Sequence, residues 1–198
     1  MASSRGSPYS TVPSTRYRQG DILRTVKIIE WAEIHNDEMI LTERNFPYCV
    51  VISQECDLEH DFNNHADEDK LARGDRDKCL QSLLLCPAYP AEQLKLGTHL
   101  EAISLKMQRI SSDEWKRIKQ NNIYRYHYLP EYEAGQIPDL VLDFKHYITV
   151  PRNIAYRGDF KGSVLISLDD LFREHLSSRF AHYLSRIGLP ELESPQGS

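Results

Sequence analysis

The sequence predicts an α+β fold with a strongly bent, mainly antiparallel sheet and a long C-terminal amphipathic helix. Of the forms that such a sheet can take, we favour a small barrel. Three observations favour this class. Six or seven segments have strand composition, they do not alternate regularly with helices, and one clear helix comes late in the chain. The 198 residues and 40% apolar content suit one globular domain, which we expect over 19–188.

Composition restricts the function classes. A formal net charge of -5 and a pI near 5.9 argue against a general polyanion binder, which needs a basic surface. No apolar run approaches the length of a membrane span and no secretion signal is recognisable, so we expect neither. Four irregularly spaced cysteines are too few for a disulfide scaffold, which favours a reducing cytoplasm.

The N-terminal third predicts a tail followed by strands. Residues 1–18 hold five serines, two prolines and three arginines, and this composition predicts a flexible tail. A turn at 19–21 opens a strand over 22–31, in which polar and apolar residues alternate toward the end. A polar turn at 35–37 precedes a second strand over 38–42. With the strand that follows, these segments form a meander.

The apolar run 47–52 is the central strand of the predicted fold. It is rich in β-branched residues and lacks polar alternation, as expected of a strand covered on both faces, and it turns polar over 53–57. Residues 57–78 then carry eight acids and four bases with few apolar residues. We expect this segment to be an acidic excursion loop that packing does not hold. Another buried strand covers 80–89.

The second half of the chain predicts short elements. Residues 91–96 suit one helical turn closed by Gly97, and Ser111 with Glu114 has the spacing of a capping box that opens a helix over 112–121. Period-two alternation over 123–129 predicts a strand with its tyrosines on one face. Further strands are expected within 140–150 and over 163–166.

The clearest helix begins after Ser167, a suitable N-cap, and is stopped by Gly188 and Pro190. Its apolar residues fall in one stripe at 100° per residue, which predicts docking onto the sheet or onto a second subunit. The stripe consists of Leu168, Phe172, Leu176, Phe180, Tyr183 and Ile187. Residues 189–198 are expected to be a second flexible tail.

The order of these elements resembles the MazF/PemK toxin family. The residues that carry the resemblance are Gly20–Ile22, Val50–Ser53, Leu84–Pro87 and the terminal helix. The resemblance implies an SH3-like barrel, dimerisation, cleavage of single-stranded RNA in a groove, and a role in bacterial stress or defence. This sequence departs from the family where an arginine normally precedes the proline that opens the second conserved strand, because Phe46 stands before Pro47. Arg44 is the nearest substitute for that catalytic arginine.

A zinc site is one hypothesis for the acidic excursion. Thiol and imidazole groups gather around it, and zinc prefers such ligands in tetrahedral sets of four. The candidate ligands are Cys56, His60, Cys79 and Cys86, with His65 nearby. Their spacings match no zinc finger or ribbon pattern, and the alternative is reduced cysteines with solvated histidines.

Cys56 is also a candidate nucleophile, since it follows a buried strand and His60 is the nearest imidazole in sequence. Glu55 and Asp57 flank the thiol, however, and negative neighbours disfavour the thiolate. An ordinary buried or polar cysteine is the alternative.

Asp143 and Lys145 resemble the acid-x-lysine half of a PD-(D/E)xK nuclease, and period two places both on one strand face. Asp139 precedes Asp143 by only four residues, so Glu131 or Glu133 would have to supply the first acid. The alternative is an exposed strand face that carries a carboxylate and an amine.

Two sets of residues are candidates for nucleic-acid or partner binding. On the strand, Tyr124, Tyr126 and Tyr128 suit base stacking and Arg125 suits a phosphate, although aromatic residues also pack well on half-buried sheets. On the last helix, a polar stripe at i, i+4, i+7 and i+11 suits RNA or an acidic protein surface, or is a solvated flank. The stripe consists of His175, Arg179, His182 and Arg186.

Two functional hypotheses follow. The first is a non-catalytic regulatory or partner-binding module of a bacterial stress or defence system, with a protein partner or a second copy bound through the C-terminal helix. The second is a nucleic-acid hydrolase, either a MazF-like ribonuclease or a metal-dependent nuclease. The second requires Arg44, the tyrosines or Lys145 to converge in one electropositive cleft.

Overall fold

The computed structural model describes residues 7–11, 14–67, 69 and 75–186, and within them it confirms the α+β class. Eight strands form one antiparallel sheet that curls into a half-barrel, in the order β1-β8-β2-β3-β4-β6-β5, with β7 also paired to β4. The strands are β1 Tyr9–Ser10, β2 Asp21–His35, β3 Glu38–Val51, β4 Ser82–Pro90, β5 Tyr126–Leu129, β6 Leu140–Asp143, β7 Ile148–Pro151 and β8 Val164–Leu168.

A long hairpin of β2 and β3 dominates the sheet. Its turn residues Asn36 and Asp37 both have positive φ, 51° and 63°, which matches the twist that two-residue hairpin turns require. The polar turn predicted at 35–37 is therefore confirmed. The two strands expected at 38–42 and 47–52 are instead one continuous strand, because Arg44, Asn45 and Phe46 all pair with β2 across the interval.

The central strand is covered on both faces, as its unalternating apolar sequence predicts. Val50 packs into a core cluster with Ile22, Leu140 and Phe144, whereas its neighbour Val51 packs into a second cluster on the opposite face of the sheet. Beyond β4, the segment 140–150 forms two strands, β6 and β7, separated by a 3-10 turn at Phe144–His146.

Six helices accompany the sheet in the described residues: α1 Glu55–His65, α2 Ala91–Leu96, α3 Ser112–Lys119, α4 Arg152–Ala155, α5 Gly158–Lys161 and α6 Asp170–Leu184. The helical turn that ends at Gly97 is confirmed, and Gly97 has the left-handed φ of 80° that suits a C-cap. The Ser111 hydroxyl accepts the Glu114 N–H at 3.2 Å, as the capping box predicts. Among the residues that the structure describes, no helix has both the length and the apolar character to cross a membrane.

The C-terminal helix α6 docks onto the sheet through Leu176 and Phe180, both buried in the core cluster of Phe144. Its N-cap is Asp169, so the expected cap at Ser167 is wrong. Ser167 still belongs to β8, where its hydroxyl donates to the buried carboxylate of Asp21. Ile187, the last member of the expected stripe, and the tail at 189–198 lie outside the described residues.

The expected loop at 57–78 is wrong over its first half, which belongs to α1. The reason is that this helix buries polar residues, Asp61 and Asn64, beside a single core leucine, Leu58. An apolar stripe is therefore absent from its sequence although the helix is anchored. Residues 68 and 70–74 of this segment lie outside the described part.

The expected N-terminal flexible tail also differs from the structure. Tyr9 pairs with β8 and donates its hydroxyl to the Pro130 carbonyl at 2.5 Å. Tyr17 is fully buried and donates to the Ala155 carbonyl at 2.7 Å. These two buried tyrosines anchor the described parts of the segment, residues 7–11 and 14–18. Residues 1–6, 12 and 13 lie outside the described part.

Candidate functional site

The distal half of the long hairpin extends beyond the sheet as a two-stranded arm, defined here as residues 27–45. β8 pairs with β2 only over residues 21–23, and β4 pairs with β3 only over residues 48–51. In the strand pairings that the structure describes, both edges of the arm are consequently open. Open strand edges present unpaired N–H and C=O groups and are competent to pair with another chain.

The arm carries large apolar side chains that the described residues leave exposed. Six of them are exposed by 44% to 75%: Ile29, Trp31, Ile34, Met39, Ile40 and Leu41. Directly opposite residues of antiparallel strands share a face. The register pairs Ile34 with Met39 and Ala32 with Leu41, so one face of the distal arm is wholly apolar.

The arm is also acidic. Five acids and two bases give it a formal charge of -3: Glu30, Glu33, Asp37, Glu38 and Glu43 against Lys27 and Arg44. Arg44 forms an ion pair with Glu30 on the neighbouring strand. The guanidinium proposed as a substitute catalytic arginine is therefore neutralised by a carboxylate of its own arm.

A cleft of about 400 Å³ lies at the base of the arm, lined by Arg44, Phe46, Tyr89 and His99 among others. Both ring nitrogens of His99 are buried without a hydrogen-bond partner, and burial lowers the pKa of His99 to about 4. His99 is therefore neutral at neutral pH. Burial also raises the pKa of Tyr89 above its usual range, so both side chains line the cleft in uncharged form.

Behind this cleft, Asp143 forms a buried ion pair with Arg125. Its carboxylate accepts Arg125 Nε at 2.9 Å and Arg125 Nη2 at 2.5 Å, and it also accepts the main-chain N–H of Lys145 at 3.0 Å. His146 Nδ1 lies 3.5 Å from the same carboxylate and 3.3 Å from the Tyr89 hydroxyl. The side chain of Lys145 is exposed. Asp143, the acid of the predicted acid-x-lysine pair, thus caps a turn and neutralises Arg125.

The predicted tyrosine ladder is divided between two environments. Tyr126 is buried in a core cluster with Ile118, and its ring lies under the Arg125 guanidinium. Tyr124 precedes the strand and stacks on His182 of α6, with ring centroids 4.3 Å apart. The three tyrosines therefore do not form one exposed stacking face.

One residue of the polar stripe on α6 fastens the helix to the rest of the chain. Arg179 donates to the main-chain carbonyls of Asn121, Ile123 and Tyr126, which ties the helix to the entry of β5. Arg186 donates to a carbonyl of its own helix. His175 is exposed on one side and lies 5.4 Å, ring to ring, from the buried His127. Of the expected binding stripe, Arg179 thus docks the helix, whereas His175, His182 and Arg186 are exposed.

The four predicted zinc ligands do not converge. Cys56 and His60 are exposed on α1, and the Cys56 thiol contacts Gln54 Oε1 and Asp57 Oδ1, each at 3.8 Å. Cys86 is fully buried in β4, where its thiol donates to the Asp143 carbonyl at 3.4 Å. The structure instead brings Cys79 to His65 and Asp61. The contacts of Cys56 are with an amide and a carboxylate, neither of which activates a thiol by withdrawing its proton at neutral pH.

Sequence reasoning missed two features. The first is the apolar arm, whose signal was present: apolar residues on both faces of one hairpin over 29–34 and 39–41. The second is Asp61, whose only signal in the sequence was its position four residues before His65, a spacing that brings two side chains together once the segment is helical.

No protein-family model and no curated protein matches this chain. Its resemblance to the MazF/PemK family remains a prediction from the sequence.

Proposed function

We propose that the chain is a non-catalytic regulatory module that binds another protein through its arm. The observation that carries this proposal is the cluster of exposed apolar side chains on a two-stranded ribbon with open edges. Exposed apolar clusters of this kind mark interaction sites on proteins that do not aggregate. An isolated two-stranded ribbon is also marginally stable in water, so a partner that covers it stabilises both the complex and the arm.

The partner that fits the arm is a different protein with an apolar groove and a basic rim. Two copies of the arm would bring two formal charges of -3 together, which opposes self-association through this surface. Basic groups on the partner would instead pair with the five acids of the arm. Open strand edges further favour a partner that contributes a strand of its own.

The contacts of the predicted catalytic groups support a non-catalytic role. Asp143 is committed to Arg125, Arg44 is paired with Glu30, and the Cys56 thiol lies beside Asp57. A hydrolase of the two kinds considered needs such groups free to contact substrate or metal. The setting in a bacterial stress or defence system, and in the cytoplasm, is part of the proposal and rests on the family resemblance and on the cysteine pattern.

The test compares three full-length chains: the native sequence, the double variant Ile34→Lys with Met39→Lys, and Lys116→Ala as a control on the exposed face of α3. Each is used to isolate partners from cells that natively produce the protein, and the partner is then purified and titrated by calorimetry. Losing two buried apolar side chains costs about 3–6 kcal/mol, or at least about 100-fold in Kd. The control should bind as the native chain does.

An unchanged Kd for the arm variant would overturn the proposal. Because the substituted residues are exposed, the thermal unfolding of the free chain should be the same for all three proteins. This control separates loss of binding from loss of fold.

A further inference from the structure

We propose that Asp61, His65 and Cys79 form a zinc-type divalent metal site with one open coordination position. One ligand atom from each residue lies within 4.8 Å of the other two. Tetrahedral zinc holds its nitrogen, oxygen and sulfur ligands roughly 3.5 Å apart, given bond lengths of about 2.0–2.3 Å. The cluster would contract by about 1 Å when the three ligand atoms bind one ion.

The fold brings these residues together from two parts of the chain. Asp61 and His65 are one turn apart on α1, so they share a face of that helix. Cys79 follows the 3-10 turn Asp75–Lys78 and precedes β4. The Leu80 N–H donates to Asp61 Oδ1 at 3.0 Å, which fixes the segment that carries the cysteine against the helix.

The hydrogen bonds around the cluster orient its ligands as outer-shell contacts orient those of known metal sites. His65 Nδ1 lies 3.0 Å from the Asp61 carbonyl oxygen, and donation there leaves Nε2 with its lone pair for a metal ion. Arg152 Nε lies 2.8 Å from each carboxylate oxygen of Asp61. Oδ1 accepts from both Leu80 and Arg152 and lies 3.2 Å from His65 Nδ1, whereas Oδ2 contacts Arg152 alone among the described residues and keeps a second lone pair.

The charges of the site favour a divalent cation with water or a small anion as its fourth ligand. A carboxylate and a thiolate balance a divalent ion, and the neighbouring Arg152 leaves the cluster with a net positive charge. Cys79, His65, Arg152 and Arg76 line an open cavity of about 500 Å³. The fourth ligand therefore comes from this cavity as water or a small anion, which is the arrangement of an open zinc site.

The test is a titration of the chelator-treated full-length chain with Co²⁺, in which coordination by a thiolate gives a sulfur-to-cobalt charge-transfer absorption. We expect this band to saturate at one equivalent and to be displaced by Zn²⁺. It should be lost in Cys79→Ser and strongly weakened in His65→Ala. Cys56→Ser and His60→Ala are matched controls, because they remove an exposed thiol and an exposed imidazole from the same helix, and both should retain the band.

The result that overturns the proposal is the absence of a charge-transfer band at stoichiometric Co²⁺ in the native chain. A band that survives Cys79→Ser and disappears in Cys56→Ser would overturn it equally, since the ion would then lie elsewhere. Circular dichroism of each variant verifies that the fold is intact. The outcome is independent of partner binding by the arm, which involves none of these residues.

Discussion

Replacing Asp143 by alanine should destabilise the chain strongly, which separates a structural role of this residue from a catalytic one. The Asp143 side chain is fully buried and accepts two hydrogen bonds from Arg125 and one from the Lys145 N–H. Removing one partner of a buried ion pair costs about 3–5 kcal/mol. Because the Arg125 side chain is 31% exposed and regains water, we expect the lower end, about 3 kcal/mol.

The assay is urea and thermal unfolding followed by circular dichroism. For a chain of this length, about 3 kcal/mol lowers the Tm by about 6–12 °C. Lys145→Ala is the matched control, because its side chain is exposed and its N–H remains to bind Asp143, and we expect a change within about 0.5 kcal/mol. An Asp143→Ala variant as stable as the native chain would refute the ion-pair reasoning and reopen a catalytic role.

Three further predictions concern stability. Leu176→Ala should cost about 2–5 kcal/mol in urea unfolding because the side chain is fully buried, whereas Leu171→Ala, 74% exposed on the same helix, should cost less than about 0.5 kcal/mol. Gly97→Ala should cost about 2 kcal/mol or more, since its φ is positive and a Cβ would clash with a main-chain carbonyl, whereas Gly158→Ala meets open space and should be neutral or mildly stabilising. His99, with its pKa lowered by burial from 6.5 to about 4, binds a proton in the unfolded chain before it does so in the folded chain. The free energy of unfolding should therefore fall as the pH falls between these values, by up to about 1.4 kcal/mol per pH unit from this residue, and His99→Gln should flatten the measured slope; an unchanged slope would contradict the burial of a neutral imidazole.

The sequence was informative where one local signal dominates. Unalternating β-branched residues indicated a strand covered on both faces, and Val50 and Val51 indeed pack into opposite clusters. Gly97 and the Ser111 capping box marked helix ends correctly, because caps depend on neighbouring residues alone. The hairpin turn at Asn36 and Asp37 was recognisable for the same reason.

The sequence was uninformative where contacts between residues far apart in the chain determine the structure. Helix α1 is anchored by Asp61 through Arg152, 91 residues away, so no local apolar stripe announces it. The order of the N-terminal segment depends on Tyr17 reaching Ala155. Asp143 and Lys145 share a plausible nuclease spacing, but only the fold shows that Arg125 occupies the carboxylate. The spacing of residues in the sequence indicates which side chains share a face of a strand or helix. The tertiary contacts of those side chains determine their chemistry.

Photocrosslinking from the arm would identify the protein that covers this surface in cells. A photoreactive amino acid would be placed at Met39 and, as a control, at Lys116, both exposed in the free chain, and the proteins would be irradiated in cells that natively produce them. We expect a covalent adduct with one defined protein, different from a second copy of this chain, from position 39 only. Adducts only with a second copy, or the same adducts from both positions, would contradict the assignment of the arm as the surface that binds a different protein.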